Sequence, residues 1–158
     1  MTHSDSLPTP FTAAEIKGAS PAGLTLRYRV ERRGQPPVIR VTRYASVDDD
    51  GAVRESCMES PDGTQLGEVE RDTSTWHALQ QHAAFPRANT VSTEDTIDIP
   101  AGRFACSCYT RVHGNETWRF WFARDLPGQP VRYDQTVDGE VVMSTSLISR
   151  EAPRTPER

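Results

Sequence analysis

An alternation of apolar and polar side chains that restarts many times constrains this chain most. It is cleanest at 24–31, where Leu24, Leu26, Tyr28 and Val30 alternate with Thr25, Arg27, Arg29 and Glu31. A period of two puts one set on each face of an extended chain, so this segment reads as a half-buried antiparallel strand. After the turn-forming RGQPP, the segment 38–45 returns with Ile39 and Val41 on one face. The segments 52–59 and 64–70 pair around SPDG, a strong turn signal. Alternation resumes at 91–99, 103–112, 117–123, 131–137 and 141–148, with HGNE and VDGE as tight hairpins and DLPGQP as a longer connection.

Two segments break the period. In DTSTWHALQQHAAFP, Trp76, Leu79, Ala83 and Phe85 follow helical spacing, with Ser74 or Thr75 as cap and Pro86 as stop. FTAAEIKG offers Thr12 and Glu15 as a capping box, Gly18 as C-cap, and Phe11 and Ile16 as apolar anchors. The expected fold is mainly β. It is a curved antiparallel sheet or half-barrel of about nine strands, with one central helix and a short N-terminal helix.

The 158 residues fit a single domain at 11–149, flanked by polar, proline-rich tails at 1–10 and 150–158. A hydrophobic content of 35% supports a core of modest size, and a net charge of −4 gives no electrostatic pull toward nucleic acid. No apolar run approaches the ~20 residues that span a bilayer, so no membrane span is expected. The first ten residues carry neither a basic patch nor an apolar run, which does not describe a secretory signal. A cytoplasmic location is the expectation, with Cys57, Cys106 and Cys108 as free thiols.

Few residues carry recognisable chemistry. Cys106-x-Cys108 followed by His113 lacks the spacing of a zinc site, and His77 and His82 diverge on a helix. No nucleophile elbow, phosphate loop or dinucleotide fingerprint is present, so neither metal nor cofactor is expected. The carboxylates fall in turns and on polar strand faces. On apolar faces the polar candidates are Tyr28, Tyr109 and Tyr133, and the residues alone do not choose among them.

The run from Glu116 to Tyr133 holds five aromatic residues and three arginines. On a strand Trp118, Phe120 and Phe122 share one face, and Thr117, Arg119 and Trp121 share the other. Three large rings in phase belong inside, facing the helix that bears Trp76 and Leu79. Across the HGNE hairpin, Phe104, Cys106 and Cys108 are expected to form the matching inward row. Small thiols opposite large rings leave room for the helix or for a ligand. The expected cavity has a floor of Phe104, Trp118, Phe120 and Phe122 and a polar mouth of Tyr133 with Arg132 or Arg119. Trp121 beside Arg119 is expected on the outer face, as plain surface, a stacked pair or part of a dimer patch.

The second half of the chain resembles the C-terminal half of bacterial LolA/LppX-like half-barrels. The resemblance rests on Ile99-Pro100-Ala101-Gly102-Arg103-Phe104, the Trp/Phe strand, and Leu126-Pro127-Gly128 leading to Pro130-Val131-Arg132-Tyr133. It covers roughly a third of the chain. It implies an antiparallel sheet wrapped around a helix, with a lipid or acyl chain on the concave face. Three functions are therefore expected as rivals. The first is a binding protein for an apolar or amphipathic small molecule. The others are a small β-barrel enzyme of cyclase or isomerase type and a closed-core structural or interaction module.

Overall fold

The computed structural model describes residues 5–153. Nine strands form one antiparallel sheet: β1 (Thr25–Arg32), β2 (Val38–Val47), β3 (Gly51–Glu59), β4 (Gln65–Thr75), β5 (Thr90–Ile99), β6 (Gly102–His113), β7 (Glu116–Ala123), β8 (Arg132–Val137) and β9 (Glu140–Glu151). Two short helices, α1 (Ala13–Gly18) and α2 (Trp76–Gln81), complete the mainly β fold expected from the alternation. Among the described residues no helix is long and apolar enough to cross a membrane.

The spatial order of the strands is β4-β3-β2-β1-β9-β8-β7-β6-β5. Two runs of hairpins are thus joined where β1 pairs with β9. The two edges, β4 and β5, are consecutive in the chain, so the segment 76–89 must cross from one edge of the sheet to the other. That crossing carries α2, and it spans the concave face of a sheet that does not close.

The curvature is strong. β9 and β6 are separated by β8 and β7, a lateral distance of about 14 Å in a flat sheet. Nevertheless Ala101 N, in the β5–β6 turn, donates to Leu147 O on β9 at 3.1 Å. Register shifts at Arg27/Tyr28, Tyr44/Ser46, Ser56/Met58 and Gln135/Thr136 supply local twist. The Val137–Glu140 pair closes over Asp138 and Gly139, both at positive φ (51° and 82°), as a primed two-residue hairpin requires.

Local capping follows the sequence. Thr12 and Glu15 form the reciprocal capping box of α1, and Thr75 Oγ1 accepts from Ala78 N at the start of α2. Gly18 is the last residue of α1 and the C-cap is Ala19 at φ −100°, so no left-handed residue ends that helix. α2 is only six residues long because the chain leaves it to insert Phe85 into the aromatic core.

Residues 5–10 differ from the expected tail. Leu7 N donates to Phe85 O at 2.9 Å, Arg87 N to Asp5 O at 2.7 Å, and Tyr109 Oη to Pro8 O at 3.2 Å. These bonds strap the segment along the end of the crossing, with Phe11 buried behind it. The remainder of the expected N-terminal tail, and 154–158 of the C-terminal one, lie outside the described residues.

Candidate ligand-binding cleft

Crossing and sheet enclose a cleft of about 360 Å³, bounded by Ile16 of α1, Leu79 of α2, the 82–85 stretch, and side chains of β2, β3, β6, β7 and β8. The start of α2 is anchored at the β2–β3 turn. Trp76 N donates to Asp50 O, and its indole Nε1 donates to Asp48 O at 2.8 Å. Gly51 makes this approach possible, since a Cβ there would lie 2.1 Å from Ser74 O. Gln80 ties the two helices together, accepting from Ala13 N and donating to Thr9 Oγ1.

One end of the cleft is aromatic. Phe85 stacks on Tyr109 and packs against Phe120, both at 5.0 Å between ring centroids, and meets Phe122 edge-on at 6.2 Å. Phe11 adds an edge contact to Phe122. Offset and edge-to-face geometries of this kind suit the ring quadrupoles and add to the burial energy.

The other end is cationic. Arg40 lies over the ring faces of Tyr28 (5.0 Å) and Tyr133 (5.8 Å) while its Nη1 bonds the Tyr133 hydroxyl. Tyr28 is fully buried and donates to Pro130 O at 2.9 Å, which fixes the 124–131 connection against the cleft. Burial pushes the Tyr28 phenol well above its ordinary value, against the opposing pull of Arg40. Beside them Arg54 Nη2 donates to Asp72 Oδ2 at 2.9 Å. Its side chain is only 13% exposed, and its Nε is buried without a partner. A second hollow of about 370 Å³ continues from this end and shares Arg40, Arg54 and Gln129. Four arginines and two carboxylates line the joined space, in a chain whose net charge is −4.

The structure divides the residues expected at the site. Phe120, Phe122 and Tyr133 line the cleft. Trp118 shares their face but lies one step farther along β7, half-buried and stacked on Phe120 at 5.9 Å. Phe122 is buried and Phe120 is partly so; the rings that face them come from Phe85 and Phe11, and Leu79 lines the same cleft. Trp76 sits instead at the β2–β3 turn.

Phe104, Arg119 and Arg132 lie on the convex face, which corrects the expected floor and mouth. Cys106 and Cys108 lie there too. The two-residue HGNE loop pairs His113 with Glu116, which sets Tyr109 opposite Phe120 and Ser107 opposite Phe122. The thiols instead oppose Ala123 and Trp121. On that face Trp121 donates to Asp95, and Arg132, rather than Arg119, stacks on its ring at 5.3 Å. Both thiols are buried, and burial raises them, Cys106 to about 11. All three cysteines are free.

Arg40, Arg54 and Arg111 are the arginines of the cleft, and sequence reasoning missed all three. In 38–45 the alternation favours Ile39 and Val41, yet register with β1 sets Arg40 opposite Tyr28 and Thr42 opposite Leu26. The inward row of β2 is therefore Arg40, Thr42 and Tyr44. The available signal was Tyr44, in phase with both polar residues. Of the three tyrosines singled out above, Tyr28 and Tyr133 meet at Arg40, whereas Tyr109 belongs to the aromatic end. Neither a protein-family model nor a curated protein matches this chain.

Proposed function

We propose that the protein binds an amphipathic small molecule in the cleft between its curved sheet and the 76–86 crossing. The apolar body of the ligand lies on Leu79, Phe85, Phe120 and Phe122, and its polar head lies at Arg40. The observation that carries this reading is the division of one continuous cleft into an aromatic end and an arginine end. A space of 360 Å³ falls within the range of small-molecule sites, which combine apolar walls with a few converging polar groups. The open space also favours binding over the closed-core module. A carrier role of the LolA/LppX-like kind belongs to the same proposal.

A second reading is supported by one observation, the Tyr28–Arg40–Tyr133 cluster inside the cleft. An enclosed phenol–guanidinium group can stabilise charge developing on a carbonyl oxygen, so an enzyme of cyclase or isomerase type remains the rival. Titration of a fluorescent fatty-acid analogue tests the binding proposal. Saturable binding, displaced by unlabelled acid and weakened by Phe120→Ala, is the expected result. Absence of saturable binding at micromolar protein overturns it. Mass analysis of the recovered ligand separates the rivals, since a carrier returns it unchanged.

A further inference from the structure

We infer that the head group accepted at Arg40 is a single carboxylate, held side-on by the Nε/Nη2 edge of its guanidinium. This inference rests on the binding reading above and narrows it to one ligand class, apolar monocarboxylic acids.

Six described arginines are half-buried: Arg27, Arg29, Arg40, Arg54, Arg132 and Arg150. Arg27, Arg29, Arg54 and Arg132 have carboxylate partners, and Arg150 donates to Ala19 O. Arg40 alone among them has neither a carboxylate nor a carbonyl acceptor. Its guanidinium carbon lies over the rings of Tyr28 and Tyr133, and Nη1 is taken by the Tyr133 hydroxyl. Nε and Nη2 have no protein partner among the described residues, and neither is sealed from solvent. These two groups form the side edge of the guanidinium, whose parallel N–H bonds match the two oxygens of a carboxylate.

The charge balance favours a monoanion. Arg54 lies beside Arg40, but Asp72 already neutralises it at 2.9 Å. Arg40 is therefore the one half-buried arginine of the cleft without a carboxylate partner; Arg111 also lines the cleft, but from an exposed position where solvent screens its charge. Tyr133 accepts from Arg40, so its own hydroxyl hydrogen is free to donate to the same head group.

The test is calorimetric titration of the full chain with decanoate, decanol and decyl phosphate. Decanoate is expected to bind at least about tenfold more tightly than decanol, the scale of one charge-assisted contact, and no less tightly than decyl phosphate. Arg40→Gln is expected to bring decanoate to the level of decanol. Tyr133→Phe, which keeps the ring over Arg40, is expected to weaken decanoate about threefold and leave decanol unchanged; it serves even where Arg40→Gln fails to fold. Equal binding of decanoate and decanol by the wild type overturns the carboxylate assignment and leaves the binding reading standing. Tighter binding of decyl phosphate overturns the monoanion. Equal weakening of both ligands by Tyr133→Phe overturns the role of the Arg40 edge. If none of the three ligands binds, the binding reading itself has failed.

Discussion

At the β6–β8 end of the cleft, Phe85, Tyr109, Phe120 and Phe122 pack ring on ring, whereas at the β2–β3 end Arg40 and Arg54 hold space open around charged groups. Both ends lie on the concave face of one sheet, and the same 76–86 crossing bounds the cleft they form. They differ in what each side chain gains by facing inward. A buried ring gains burial energy of roughly 25 cal/mol per Å² wherever it is enclosed. A half-buried guanidinium loses hydration, and recovers it only through hydrogen bonds, ring faces or an anion. The aromatic end accordingly holds the later part of the crossing to the sheet, while Trp76 holds its start at the β2–β3 turn. The arginine end adds little to stability and sets what the cleft accepts.

Substitutions can break that contrast. Phe122→Ala is expected to cost about 3 to 5 kcal/mol, because Phe122 is 3% exposed and touches Phe11, Phe85 and Tyr109. Denaturant unfolding measures the loss, and a cost below about 1 kcal/mol would mean that the aromatic end is loosely packed. Gly51→Ala acts at the joint shared by both ends. Its new Cβ meets the Ser74 carbonyl, and a cost of up to about 3 kcal/mol is expected from overpacking against backbone. A neutral result would show that the crossing is not anchored at the β2–β3 turn.

Arg40→Met should change stability by less than about 1 kcal/mol, since lost hydrogen bonding is offset by removal of a half-buried charge. It should nevertheless abolish the preference for acids over alcohols. Loss of more than about 3 kcal/mol would make Arg40 a structural residue and erase the distinction between the two ends.

The smallest effect concerns pH. Burial raises the Tyr28 phenol above its ordinary value of 10.0, so the fold favours its neutral form. That contribution is full below pH 10, the value in the unfolded chain, and is lost as pH rises from there through the folded value. Tyr28→Phe should therefore flatten the fall of stability above pH 10. An unchanged alkaline slope would place Tyr28 in contact with water.

These differences explain which parts were legible in the sequence. Strand positions, both helices and the inward set of Trp118, Phe120 and Phe122 follow from period and ring size, because burial energy and alternation agree there. Arg40 and Arg54 were not legible, since alternation assigns charged residues to solvent by the same reasoning that succeeds for phenylalanine. Only pairing with Tyr28 and Tyr44 turns them inward. Cys106 and Cys108 show the converse, apolar residues in phase with one another on the face away from the cleft. Their parity is set by the two-residue loop before Glu116 rather than by their own character. The strap at 5–10 depends on backbone bonds to residues some eighty positions away, and its polar composition gave no sign of them.

The central claim is that the cleft itself holds the apolar body of a ligand, and photolabelling with a fatty acid carrying a mid-chain diazirine tests it most directly. Peptide mapping after irradiation should find the label on the stretches around Leu79 to Phe85 and Phe120 to Phe122, and excess unlabelled acid should suppress it. Label confined to the convex face around Trp121, or to the exposed edge strand β4, would contradict the account.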